Sequence, residues 1–580
     1  MSEVSLGPIN YLTIIIYMGA IVGMGYWFSR RENTSEEYLL GGRKIPWWAV
    51  GISYYMSLAS TISLVMVPGE IYNNGLSLFV LSILFPITVL LGFFLCVRFF
   101  FKLKSFTPFE YLERRYDSRV RLVVSLIYFW IRIAYISMVL FASAKVFEGA
   151  AGWSVWMTIP LVAIIGIVYT VLGGIRAVIW TDVFQFVALF GGLAVAIIIC
   201  TSLVDGGVMG VLSYSFEHGR GPERFAEADF YRFDPYIRLC FWFILLSTIM
   251  DSIFYPCADQ ITIQRLLSTG SYKEAKKAAY MNSFLEIPLT LMLWFVGLAI
   301  FTYYSQNVDP RVTSGDGALF TFISTKMPTP LPGLMLAAML AAAMSTLDSG
   351  MNSLSTVVLK DFYLKYLNPS ATEEKQVKLA RILTIAIGAF AIVVALSIAG
   401  VASNLGETVA EAFAIWGSFQ VLLAPAFFIT VTSRKITSFG IWLGLFAGIG
   451  VNSGMITWYL KSQSGWIGAI SHNWILIPLS VGVLSLVLTI VLKSRGSNHA
   501  FRVLVVAVCA LGYTLSTGLW YYYGRFTDGG ELSFQWVTFP GAFAFFVVGY
   551  GSMLFIKAPD KEKHEGLTLW SIGKGEIKEN

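Results

Sequence analysis

Apolar residues fall in long runs separated by short polar stretches, at about 9–29, 46–73, 76–101, 122–149, 154–174, 177–204, 236–264, 279–304, 331–361, 379–402, 407–431, 437–460, 473–492, 502–523 and 535–556. Each run is long enough to cross a bilayer as a helix, which takes ~20 mostly apolar residues. The pattern therefore predicts fifteen membrane-spanning helices. The first run follows a polar Met1–Asn10 with no basic residue and ends in Arg30–Arg31 without a small-residue cleavage site. It is expected to be a retained span, not a signal peptide.

Helix breakers divide these spans. The second contains Ser57-Leu-Ala-Ser-Thr-Ile-Ser-Leu-Val-Met-Val-Pro-Gly69 and the seventh Ser247-Thr-Ile-Met-Asp-Ser-Ile-Phe-Tyr-Pro256, two prolines in similar settings. Spans two to six and seven to eleven form two sets of five, and an odd set enters the membrane with inverted topology. A five-plus-five inverted repeat is expected, with a discontinuous first helix in each half that offers free backbone groups to ions and solute. The alternative is that both prolines only kink ordinary spans. The expected division is a leading helix and loop (1–45), a first repeat (46–205), an external loop (206–235), a second repeat (236–431), four trailing helices (432–556) and a tail (557–580).

Composition agrees with a polytopic membrane protein. Of 580 residues, 56% are hydrophobic and 13% charged, about half the charge of a soluble chain. The net charge of +6 is small and dispersed, so nucleic acid is not an expected partner. With the N-terminus outside, 31 Lys and Arg fall in cytoplasmic connections and 8 on the opposite side, which by the positive-inside rule also places the C-terminus in the cytoplasm of a plasma (inner) membrane protein. All four histidines lie in polar connections, which disfavours hydrolytic or redox chemistry in the membrane. Neither enzyme activity nor a cofactor is expected. Cys96, Cys200, Cys240, Cys257 and Cys509 lie in or beside apolar runs without ligand spacing, and are read as free, packed thiols.

Against this background, polar residues inside spans carry the functional signal. Span nine reads Leu340-Ala-Ala-Ala-Met-Ser-Thr-Leu-Asp-Ser-Gly-Met-Asn-Ser-Leu-Ser-Thr356, in which Ser345, Asp348, Ser349 and Asn352 share a helical face. Asp182 is a second intramembrane carboxylate. Burying such a charge without a partner costs at least ~2.5–3.5 kcal/mol, and an all-oxygen set of carboxylate, hydroxyls and carbonyls suits a hard cation such as sodium. A proton, or pairing with a basic side chain, are the alternatives. Arg132, Lys145, Asp251, Asp259, Glu70, Glu286, Glu411 and Gln420 are further polar positions able to line a solute path.

The sequence resembles the sodium/solute symporter family over about residues 9 to 460. The resemblance rests on Gly41-Gly-Arg-Lys-Ile-Pro-Trp-Trp-Ala-Val50, Val67-Pro-Gly-Glu-Ile-Tyr72, Gly173-Gly-Ile-Arg-Ala-Val-Ile-Trp-Thr-Asp182-Val-Phe-Gln185, Asp259-Gln-Ile-Thr-Ile-Gln264-Arg265, and Ala343-Met-Ser-Thr through Asn352-Ser. It implies an all-α, LeuT-like inverted-repeat core and solute uptake driven by inward sodium flow. By position, it implies a sodium site of Met56, Ala59 and Ala342 carbonyls with the Ser345 and Thr346 hydroxyls. Some relatives have a second site, which would here be Asp182, Ser345, Asp348 and Ser349. Asp348 departs from the family, many members of which carry a small or hydroxyl residue there, so either a second sodium or a proton fits. Ser63 stands where sugar and iodide carriers have glutamine, so neither solute carries over.

The expected activity is sodium-coupled import of a small polar organic solute by alternating access, with solute near Ser60, Ser63, Asp251 and Gln420. The expected partners are sodium, that solute and the lipid bilayer, with no obligatory protein partner. A proton-coupled or mixed-ion symporter and a transporter-like solute sensor are the rival readings. A channel is disfavoured because the polar positions cluster at two breaks and not along a continuous stripe.

Overall fold

The computed structural model describes residues 7–29, 34–76, 79–234, 236–237, 239–312, 315–405, 416–417, 419–464, 473–494, 500–526, 534–537, 539–560 and 564–571. Glu411 lies outside them. The described secondary structure is helical throughout. The leading helix α1 (Pro8–Ser29) is followed by α2 (Ser35–Leu40), α3 (Trp47–Leu58), α4 (Thr61–Asn74), α5 (Phe79–Leu103), α6 (Pro108–Arg115), α7 (Ser118–Ala151), α8 (Val155–Ser202) and α9 (Gly207–Glu217). Next come α10 (Phe241–Ala258), α11 (Gln260–Leu267), α12 (Tyr272–Gln306), α13 (Gly315–Lys326), α14 (Leu331–Val357) with a π-helical extension Val358–Leu367, and α15 (Glu373–Leu405). The trailing part holds α16 (Leu423–Thr432), α17 (Ser438–Ser464), α18 (Asn473–Ser494), α19 (Ala500–Phe526) and α20 (Pro540–Ser552). Among the described residues nine helices are long and apolar enough to cross a membrane, and the bent pair α3/α4 makes a tenth. Of the others, α16 and α20 are shorter helices, and the apolar described stretches of α18 and α19 run over Pro478–Val491 and Val503–Gly518.

Both discontinuous helices exist, but the prolines do not mark the breaks. The first lies at Ala59–Ser60, where α3 and α4 meet at 61°, and Pro68 sits inside α4. The second lies at Asp259, past Pro256, which is likewise inside its helix. Capping places the breaks: the Ser60 hydroxyl accepts from Ser63 N–H and the Asp259 carboxylate from Thr262 N–H, so each new helix starts with its first donors satisfied.

Spans five and six appear as the one helix α8, interrupted at Gly174 (φ 49°, ψ −157°). Gly166 and Gly192 would stand about 39 Å apart on a straight helix. Yet a Cβ on Gly166 would meet Leu347 of α14, and one on Gly192 would meet Met335, positions only about 18 Å apart along α14. The chain therefore turns sharply at Gly174, and each half spans separately. This backbone region is essentially closed to other residues. Gly174→Ala is expected to cost about 1–3 kcal/mol and to lower the melting temperature in detergent; an unshifted transition would show that the turn tolerates a side chain.

α14 is the axis of the bundle. Nearly every residue from Met335 to Val357 is buried, because α1, α3, α7, α8 and α15 all pack around it and its Ala337–Ala343 stretch lets them approach closely.

One expectation is overturned. Cys96 of α5 and Cys257 of α10 form a disulfide, leaving Cys200, Cys240 and Cys509 as thiols. The two helices touch so closely that a Cβ on Gly92 would lie 2.3 Å from Ser252 O, which brings the cysteine α-carbons to 5.2 Å, within disulfide range. A separation of 161 residues leaves no trace of this in the sequence.

Candidate sodium and solute sites

The first break meets α14 through oxygen atoms. The Ser345 hydroxyl donates to Met56 O (3.1 Å) and lies 3.0 Å from Ala342 O, while Thr346 Oγ1 lies 3.2 Å from Ala342 O. Ala59 closes α3 in an extended conformation (φ −75°, ψ 99°). On the other side of the break, Thr61 donates to Met339 O (3.0 Å). Met56, Ala342, Ser345 and Thr346 thus come together around the break that Ala59 terminates. Two hydroxyls, the Met56 carbonyl in the last turn of α3 and the Ala342 carbonyl of α14, with no nitrogen or sulfur, suit a hard monovalent cation.

The second predicted set is also brought together, with a partner that the residue-by-residue reading missed. Asp182 Oδ2 accepts from the Ser53 hydroxyl (2.5 Å) and from Arg265 (3.0 Å). Arg265 also donates to Ser53 (2.8 Å) and to Ser349. Ser349 donates to Ser345 O and lies 3.1 Å from Asp348 Oδ1, and Tyr169 donates to Asp348 Oδ2 (2.6 Å). Asp182, Asp348, Arg265 and Ser349 are all at most 1% exposed. Asp182 Oδ1 has no protein donor, and such a buried acceptor calls for water or a cation. Arg265 pairs with Asp182 and reaches Asp348 only through Ser349, and the oxygens around the two carboxylates can take one further cation or, at Asp348, a proton. The sequence signal for Arg265 was a lone basic residue six positions past the second break.

The four predicted solute positions line one region. Ser60, capping α4, bonds the Tyr135 hydroxyl of α7, with Ser63 on the first turn beside it. Tyr135 stacks on Trp416 (4.5 Å between centroids), whose indole donates to Ile131 O (2.7 Å). Gln420 donates to Asp251 (3.4 Å), with Tyr255 one turn along α10 from Asp251. Arg132, 2% exposed, lies over the Tyr128 and Tyr135 rings and pairs with Asp259 at the second break. Tyr135, Tyr255 and Trp416 were not singled out beforehand, since an aromatic at helical spacing looks like any core residue. Of the other embedded charges, Lys145 pairs with Glu148 at an exposed helix end, Glu70 accepts from Asn74, and Glu286 accepts from Thr290; none reaches these two clusters by a direct bond.

Comparison with known proteins agrees with this fold. A sequence model of the sodium:solute symporter family matches residues 38–448. The chain is 31% identical to the sodium/sialic acid symporter NanT of Aliivibrio fischeri over 429 residues, covering 73% of this chain and 81% of that one. It is 30% identical to the sodium/sialic acid symporter SiaT of Proteus mirabilis over 423 residues (72% and 82%). The human sodium-coupled monocarboxylate transporter 1 is 27% identical over 449 residues (76% and 71%). In fold, the chain superposes on the outward-open state of a Na+-coupled sialic acid symporter with a TM-score of 0.72 at 24% identity, over 95% of this chain and 99% of that chain. These relatives are membrane transporters, not enzymes. With broken helices in both halves, an oxygen cradle at the first of them, and a family match running through both, the chain belongs to the sodium:solute symporter family and is a sodium-coupled solute symporter.

Proposed function

We propose that the protein imports a small polar organic solute by alternating access, driven by sodium held between the α3/α4 break and α14. The carrying observation is the convergence of Met56 and Ala342 carbonyls with the Ser345 and Thr346 hydroxyls, completed by Ala59 O. A cation there ties α14 to the broken helix and so favours the arrangement in which the two touch; coupling follows only from that difference in affinity between states. A second cation sits among Asp182, Ser345, Asp348 and Ser349, neutralising the charge that Arg265 leaves over.

Solute binds against Ser60, Ser63, Asp251 and Gln420. The named relatives carry sialic acid or monocarboxylates, and a buried arginine over the same aromatic wall supports a carboxylate-bearing solute for this chain too. The charge bias supports an external N-terminus and a cytoplasmic C-terminus in the plasma (inner) membrane. The repeats correspond to about 46–205 and 236–431.

Ser345→Ala tests the hydroxyl that the two sites share, without knowledge of the solute. Sodium that binds the folded state raises its melting temperature by mass action. Losing one hydroxyl ligand is expected to displace the plot of melting temperature against sodium concentration about tenfold to higher sodium, the equivalent of ~1.4 kcal/mol. A plot that coincides with that of the unsubstituted protein would remove Ser345 from both sites.

A further inference from the structure

The polar tail beyond the last span is not a free end over its described stretch 564–571. It closes on itself: Leu567 N–H donates to His564 O (3.1 Å), the Ser571 hydroxyl donates to the same carbonyl (2.7 Å), and Thr568 Oγ1 lies 2.8 Å from Ser571 Oγ. Thr568 is fully buried, and Leu567 and Leu569 pack on the main core.

This small turn then bonds outward to two helices. The Tyr111 hydroxyl of α6 donates to Leu567 O (2.7 Å). At the end of α16, Leu569 N–H donates to Val431 O (3.0 Å), Trp570 Nε1 donates to Thr432 O (2.5 Å), and Arg434 donates to Trp570 O. The last carbonyls of a helix have no partner within it, and here the tail supplies two of the missing donors. Helices α6 and α16 also meet directly, through Arg115 to Ser433 O (3.0 Å) and Tyr116 to Thr430 (3.0 Å). α6 belongs to the first half of the core and α16 ends the second, so the tail lies across a seam between them. Its hold combines these hydrogen bonds with the half-buried Leu567 and Leu569, while Trp570 stays 67% exposed; so short a contact can part and re-form without unfolding the tail's own turn.

We propose that residues 564–571 are a strap that holds α6 against α16 and restrains the opening of the bundle on the basic, cytoplasmic side. The strap is a regulatory contact built into the chain: whatever draws it off would ease opening. This rests on the alternating-access reading above.

Spin labels at the exposed positions Arg114 and Lys435, introduced as cysteines with Cys200, Cys240 and Cys509 replaced by alanine, report the α6–α16 distance by pulsed electron resonance in sodium and in sodium-free potassium buffer. The full chain is expected to show a short distance that gives way in part to a longer one when sodium is withdrawn. Ending the chain after Asp560 is expected to raise the longer population at least threefold in both buffers. Leu569→Pro, which keeps the tail but removes the N–H bonded to Val431, should reproduce the effect if the truncated chain folds poorly. A sodium-dependent shift that neither variant alters would overturn the strap alone. One unchanging distance in the full chain under both buffers would overturn the alternating-access reading as it concerns this seam, and the strap with it.

Discussion

Arg265→Met is expected to reduce the yield of folded protein and its melting temperature in detergent sharply. Arg265 and Asp182 are respectively 1% and 0% exposed, and the guanidinium satisfies Ser53 and Ser349 as well. Removing one member of such a pair leaves a buried charge unmatched, at a cost of about 3–5 kcal/mol, a large share of the stability of most folded domains. The loss should come mainly from Asp182. The double variant Arg265→Met/Asp182→Asn is therefore expected to recover most of the melting temperature in detergent, because a neutral amide replaces the stranded carboxylate. A single variant as stable as the double would show that Arg265 is not the counter-ion of Asp182.

Asp259→Ala is expected to be comparably damaging, for a different reason. This carboxylate pairs with the fully buried Arg132, accepts from the Tyr128 hydroxyl (3.0 Å), and caps α11 through Thr262 N–H (3.2 Å) and its hydroxyl (3.0 Å). The substitution removes an ion pair and a helix cap together, about 3–5 kcal/mol for the first and ~1 kcal/mol for the second. Asp259→Asn separates them, since an amide oxygen still caps but carries no charge. The asparagine variant should melt above the alanine variant yet below the unsubstituted protein. Equal melting of all three would place the Asp259 carboxylate outside the structural core.

Much of this was legible in the sequence, and the reason differs from residue to residue. Ser345, Asp348 and Ser349 could be found because polar side chains in a buried apolar helix stand out and three- and four-residue spacing sets a face, whereas Thr346 came only from the resemblance to the family. The two broken spans could be found because proline marks a helix with a weak point, yet the breaks themselves fell at Ser60 and Asp259, where a side chain satisfies the new helix end. Arg265 with Asp182, and Cys96 with Cys257, are contacts between distant segments. Nothing local in the chain anticipates them, because packing of helices and not propensity brings each pair together. The turn at Gly174 was visible as a gap between spans, but its left-handed backbone was not.

The half-helix α11 holds a final consequence. It is eight residues long, about 12 Å, and is riveted at its start to α7 by Asp259–Arg132 and near its end to α8 by Arg265–Asp182. Between the two, the Gln264 amide nitrogen reaches Leu39 O (2.6 Å) and Asn352 of α14 (2.7 Å). A lever pinned at both ends cannot swing. Motion that opens the second broken helix must therefore be taken up by its other arm, α10, bending at Asp259 while α11 stays with the scaffold, or else both buried pairs must be broken in every cycle.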